Sequence, residues 1–110
     1  MRNVSRNLVL VAACLFFYVL PCQADDPSLL QPIKDAILAK EYQKAYEYAQ
    51  DLSSKYAGDS QFDYWYGKAA YESGHYSEAS FALERVLIVE PGHQPAQHYL
   101  GLTYQKMGRK

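Results

Sequence analysis

The feature that most limits what this chain can become is an interval of 34 residues. Gly67 and Gly101 are separated by it, and each sits in a similar string. Tyr66-Gly67-Lys68-Ala69-Ala70-Tyr71 runs into Ser73-Gly74-His75, while Leu100-Gly101-Leu102-Thr103-Tyr104 runs into Lys106-Met107-Gly108-Arg109. The same interval relates Tyr42 to Tyr76 and Ala45 to Ala79. A fixed period of this size marks stacked helix–turn–helix units, none of which can bury its apolar face alone. The fold expected is therefore all-α, a tandem array of antiparallel helix pairs.

The positions have physical reasons. Gly67 and Ala79 are small where two antiparallel helices must come closest. Gly74 can take the left-handed conformation that ends a helix. Pro91 cannot continue one, and Gly92 behind it reinforces the stop. Ala79, Ala82 or Leu83, Val86 and Val89 recur every three or four residues, which predicts an amphipathic helix. Ser80 is expected on its solvent side. Asp59-Ser60 and Ser77-Glu78 read as helix beginnings, where acids and hydroxyls satisfy free backbone amides. The pattern predicts helices over 28–39, 42–55, 60–73, 76–89 and 95–107.

Gly67, Gly74, Tyr76, Ala79, Leu83, Val86 and Pro91 together resemble the tetratricopeptide repeat. In that register Ser60 to His93 is one full unit. Gln94 to Lys110 is the first half of another. Asp26 to Asp59 is a degenerate unit that keeps Tyr42, Ala45, Ala49 and Leu52 but has Ile33 in place of the glycine. The resemblance implies about two and a half repeats of a helical solenoid that binds a protein or peptide and performs no catalysis.

Residues 1–24 read differently. Arg2 and Arg6 precede an uncharged apolar run from Leu8 to Leu20, and Cys22-Gln23-Ala24 leads into Asp25. That order describes a secretory signal peptide cleaved after Ala24, and the run is short for a membrane span of about 17–25 residues. Val11-Ala12-Ala13-Cys14 looks like a lipoprotein box, but cutting there would leave Leu15 to Leu20 as an apolar head on the mature chain. Both cysteines, Cys14 and Cys22, lie in this segment, so the mature chain offers no disulfide or thiolate site. Nine basic and twelve acidic residues remain, a net charge of −3 that argues against nucleic acid as a partner. Export without a disulfide points to a bacterial periplasm.

Little reads as chemistry. His93 and His98 are five apart, and His75 falls in a turn, so no helical metal pair with a converging third ligand is evident. No nucleophile elbow, phosphate loop or dinucleotide fingerprint occurs. No catalytic residue, metal or cofactor is expected, and the carboxylates are expected mainly on solvated faces and turns. An accessory domain of a hydrolase is the one enzyme reading, and the residues supply it with no nucleophile.

Aromatic residues are the oddity: ten tyrosines, two phenylalanines and one tryptophan follow residue 24. Phe62, Tyr64, Trp65, Tyr66 and Tyr71 crowd one helix. At 100° per residue Tyr64, Lys68, Tyr71 and Glu72 share a stripe, with Trp65 and Tyr66 pointing elsewhere. The resemblance implies a concave groove lined by Gln61, Tyr64, Lys68, Tyr71 and Glu72, then by His98, Leu102, Gln105 and Lys106. From the first unit it adds Leu30, Lys34, Ile37 and Leu38. Tyrosine among charges suits peptide recognition. Asparagine occurs only as Asn3 and Asn7, so capture of a C-terminal carboxylate by groove asparagines is not expected.

The string Phe81-Ala82-Leu83-Glu84-Arg85-Val86-Leu87 is also similar to periplasmic repeat domains that precede outer-membrane barrels. Lys110 falls where the second helix of the last pair should begin, which leaves Leu100, Tyr104 and Met107 without expected cover. A continuing chain or self-association through that helix would supply it.

Overall fold

The computed structural model describes residues 27–108, so the signal segment lies outside the described residues. Five helices follow one another: α1 (Pro27–Leu38), α2 (Tyr42–Tyr56), α3 (Ser60–Glu72), α4 (Tyr76–Val89) and α5 (Gln94–Lys106). Each helix boundary falls within about one residue of the expected one.

The turns repeat as the sequence does. Gly74 has φ 89°, and His75 N–H reaches back to Ala70 O at 2.8 Å. Thirty-four residues earlier Lys40 has φ 62°, and Glu41 N–H reaches Ala36 O at the same distance. Gly108 has φ 78° one period further on. Each closes a helix C-terminus by satisfying a carbonyl that the helix leaves free. The first unit thus keeps the turn while losing the glycine.

Helix beginnings are less uniform. Asp59 Oδ1 caps α3 by accepting from Phe62 N–H at 3.0 Å. α4 begins at Tyr76 with Glu78 in its first turn, as expected, but the residue before it, His75, makes no side-chain cap. The ring of His75 lies flat on Tyr46 instead, with centroids 3.8 Å apart, and its Nε2 donates to Gln43 Oε1. His93, expected in a loop, caps α5 by accepting from Ala96 N–H at Nδ1.

Packing produces two layers. α3 lies against α2, α4, α1 and α5, while α4 packs on α3 and α5. The first helices of the pairs touch, α1 with α3 and α3 with α5, whereas α2 and α4 do not. The chain therefore curves with α1, α3 and α5 inside. Leu30, Ile33, Ala45, Phe62, Ala79, Leu83 and Val86 form the buried core between the layers.

Alanine and glycine let the crossings close. A Cβ added to Gly67 would stand 2.6 Å from Leu83 Cγ, which shows how tightly α3 meets α4. Two stripe assignments on α4 need correction. Ser80 is buried, its hydroxyl donating to Ser77 O at 2.8 Å, and Val89 is exposed. The helix turns its last residues away from α3, so a three-and-four spacing extended to its end overshoots the core.

One carboxylate escapes the expected solvated faces. Asp63 is fully buried, with Oδ1 accepting from an Arg85 terminal nitrogen at 2.9 Å. Its Oδ2 accepts from Gly58 N–H at 2.9 Å and Arg85 Nε at 3.2 Å. Those bonds raise the arginine's pKa further and tie α3, α4 and the preceding turn together. Among the described residues no buried side-chain polar atom lacks a partner.

Candidate partner-binding groove

Trp65 is the centre of the inner layer. Lys34 Nζ, from α1, lies 5.2 Å from the indole centroid, and Lys68 Nζ lies at 5.2 Å as well. Lys68 also stands 5.4 Å from the ring of Tyr99 on α5. Ammonium groups at such distances are held by the electron-rich ring face. One tryptophan thereby joins cations from two helices, and Lys68 carries the link to a third.

Tyrosines extend the cluster. Tyr64 meets Trp65 edge-on at 5.2 Å and Tyr99 at 6.3 Å, and it leans on His93 at 5.0 Å. Tyr71 meets Tyr99 at 5.6 Å and Tyr76 at 5.8 Å. These tilted and edge-to-face arrangements are the ones ring quadrupoles favour. Burial pushes the Tyr64 phenol above its ordinary value, and Tyr99 adds to the rise. Burial and then the Glu72 carboxylate do the same for Tyr99. Both hydroxyls are therefore protonated donors at neutral pH.

Of the groove residues expected from sequence, Tyr64, Lys68 and Tyr71 do converge, with Glu72 at the Tyr99 end and the His98 ring against Tyr99. Leu102 is half-buried, while Gln61, Gln105 and Lys106 are exposed. In the first unit only Lys34 belongs with the cluster. Leu30 and Ile37 are buried in the core, and Leu38 is 81% exposed. Positions transferred from the full unit thus reach the cluster at Lys34 but fall in the core at Leu30 and Ile37.

Trp65 and Tyr99 went unseen. Helical projection of α3 alone sends Trp65 away from Tyr64, yet the neighbouring helices bring cations to its ring. The usable signal was the period itself, because Trp65 and Tyr99 stand 34 residues apart and so share one position in consecutive units. Leu100 packs on the core, Met107 is half-buried, and the Tyr104 hydroxyl bonds to Glu84. The last helix is thus better covered on these residues than expected.

A separate open hollow of about 670 Å³ lies between α1 and α2, lined by Gln31, Pro32, Asp35, Ala36 and Tyr48 among others. None of its lining residues belongs to the aromatic cluster. Among the described residues no group of three or more histidines, cysteines or acids is placed to hold a metal ion. No helix there is long and apolar enough to cross a membrane.

The paired layers, the shared turn geometry and the 34-residue register agree with a comparison against protein families, in which the tetratricopeptide repeat model matches residues 36–109. The chain belongs to the tetratricopeptide repeat family. Neither a curated protein nor a solved structure gives a significant match. Tetratricopeptide repeats generally mediate protein–protein interaction and typically act as non-catalytic scaffolds. The aromatic cluster lies on the inner layer of that scaffold, across three of its helices.

Proposed function

We propose that this tetratricopeptide protein is a non-enzymatic interaction module, exported to the bacterial periplasm, that holds a peptide or protein segment against α1, α3 and α5. The cluster of Lys34, Tyr64, Trp65, Lys68, Tyr71 and Tyr99 carries the reading. Aromatic and basic side chains supply most of the binding energy at protein interfaces. Here they are half-buried and braced by one another, so little rotamer freedom is lost on binding. Export rests on Arg2, Arg6, the Leu8 to Leu20 run and the Cys22-Gln23-Ala24 site.

Replacing Tyr64, Lys68 and Tyr71 together with alanine should abolish capture of a periplasmic partner that the wild-type chain binds when both are purified, and helical circular dichroism should persist. Undiminished binding by that variant overturns the groove. The exported chain should begin at Asp25 by intact mass; a lipid-modified cysteine would overturn the signal-peptide reading.

A narrower role is a periplasmic piece of an outer-membrane export or surface-lipoprotein assembly machinery. The string from Phe81 to Leu87 supports it, as do Phe81 at 62% and Ile88 at 78% exposure on α4, a second surface that such an assembly would cover.

A further inference from the structure

Building on the interaction-groove reading, we infer that the segment held there is an acidic peptide, with carboxylate side chains seated between Lys34 and Lys68 over the face of Trp65. Both ammonium groups lie 5.2 Å from one centroid, so they are no more than twice that, about 10 Å, apart. Among the described residues neither has an ion-pair partner: the salt bridges there join Lys44 to Glu41 and Arg85 to Asp63. Two cations held at one ring repel each other, and the indole relieves only part of that. A carboxylate approaching either one gains attraction to both.

A separation within that bound suits a simple pattern. In an extended chain, side chains two residues apart point the same way and are separated by about 6.6–6.8 Å. Acidic residues at alternate positions can therefore meet both lysines at once. The intervening methylenes cover Trp65 and Tyr99, while the Tyr64 and Tyr99 hydroxyls stand ready as donors. Glu72 sets the polarity: it follows Lys68 by one turn on α3, away from Lys34, and its charge acts on Tyr99 and opposes an anion there. The acidic stretch thus belongs at the Trp65 end. Single-stranded nucleic acid also combines charge with stacking, but it needs a basic track along its backbone. This chain offers two lysines at the centre and a net charge of −1 overall.

Trp65 is the single tryptophan of the chain, so its fluorescence reports on this site alone. The full chain is titrated with a terminally blocked peptide of alternating glutamate and alanine, with its glutamine twin, and with oligouridine, and calorimetry is run in parallel. The glutamate peptide should bind at least about tenfold more tightly than the glutamine twin, and raising salt from about 50 to about 300 mM should shrink that margin. Lys34→Gln with Lys68→Gln should erase the preference. Glu72→Gln should strengthen binding, and Lys44→Gln should leave it within about twofold.

Equal binding of the two peptides, an undiminished preference in the double lysine variant, or tighter binding of oligouridine overturns the acidic assignment. If the glutamine twin binds as well and the triple alanine variant loses both, the groove stands and only its charge preference falls. If the triple alanine variant keeps both peptides, the groove falls as well.

Discussion

Gly67 and Gly101 hold the same register position in consecutive units, yet they live in different surroundings. Gly67 is buried against Leu83, with no room for a Cβ, whereas at Gly101 an added Cβ would meet nothing within 4 Å. Asp63 and Gln97 show the same contrast. The first is buried and joined to Arg85 on the neighbouring helix; the second is exposed and donates to Pro91 O in its own preceding loop. A repeat in sequence reproduces the local backbone faithfully. It does not reproduce what packs against that backbone, because cover comes from the next element and differs from unit to unit.

The sharpest break of this comparison is at the acid pair. Asp63→Ala leaves Arg85 and Gly58 N–H without their acceptor. Removing one partner of a buried pair costs about 3–5 kcal/mol, but Arg85 is 36% exposed and can turn to water, so about 2–3 kcal/mol is expected. Gln97→Ala at the equivalent position should cost within about 0.5 kcal/mol. Urea denaturation of both variants decides it, and similar losses would mean the two units are equally buried.

The glycines should differ in sign. Gly67→Ala forces a methyl into the buried, branched Leu83, costing about 1–3 kcal/mol, which the helical preference of alanine offsets by about 1 kcal/mol. Gly101→Ala meets open space and should gain about 0.5–1 kcal/mol. In a domain of this size 1 kcal/mol moves the melting temperature by about 4–8 °C, so opposite shifts are readily measured. A stabilised Gly67→Ala would show that α3 and α4 do not cross where the structure places them.

The smallest effect compares turns. Lys40 sits at φ 62° where the central unit has Gly74 at φ 89°. Left-handed backbone costs an ordinary residue about 1–2 kcal/mol. Lys40→Gly relieves that but loosens the unfolded chain, for a net gain of about 0.5 kcal/mol, while Gly74→Ala should lose about 1 kcal/mol. Loss of stability in Lys40→Gly, read from the same melts, would show that the lysine side chain contributes something the turn geometry does not explain.

Much of the architecture was legible because it is local. Gly74, Pro91 and Asp59 act on their own backbone, and the 34-residue interval places the next unit without knowledge of any contact. Helical geometry put Tyr64, Lys68 and Tyr71 on one stripe, and the family resemblance placed that stripe in the groove. Trp65 and Tyr99 did not emerge, since a projection of one helix cannot show what adjacent helices bring to its flank. Ser80 and Asp63 misled for a related reason. Polarity predicts exposure only until a hydroxyl finds its own backbone or a carboxylate finds an arginine across the layer.

What the amino-acid order by itself determined was the unit: helix, left-handed stop, helix, second stop (Ala57-Gly58, then Pro91-Gly92), on a 34-residue interval, because those conformations are set by steric limits within a few bonds. The tertiary structure decided which of the surplus aromatics became core and which became surface. Phe62 and Tyr66 went inward, while Trp65 was left between two lysines without counterions among the described residues. That choice depends on how far α1 and α5 lean over α3. Packing volume and charge across three helices fix that lean, and no single helix encodes it.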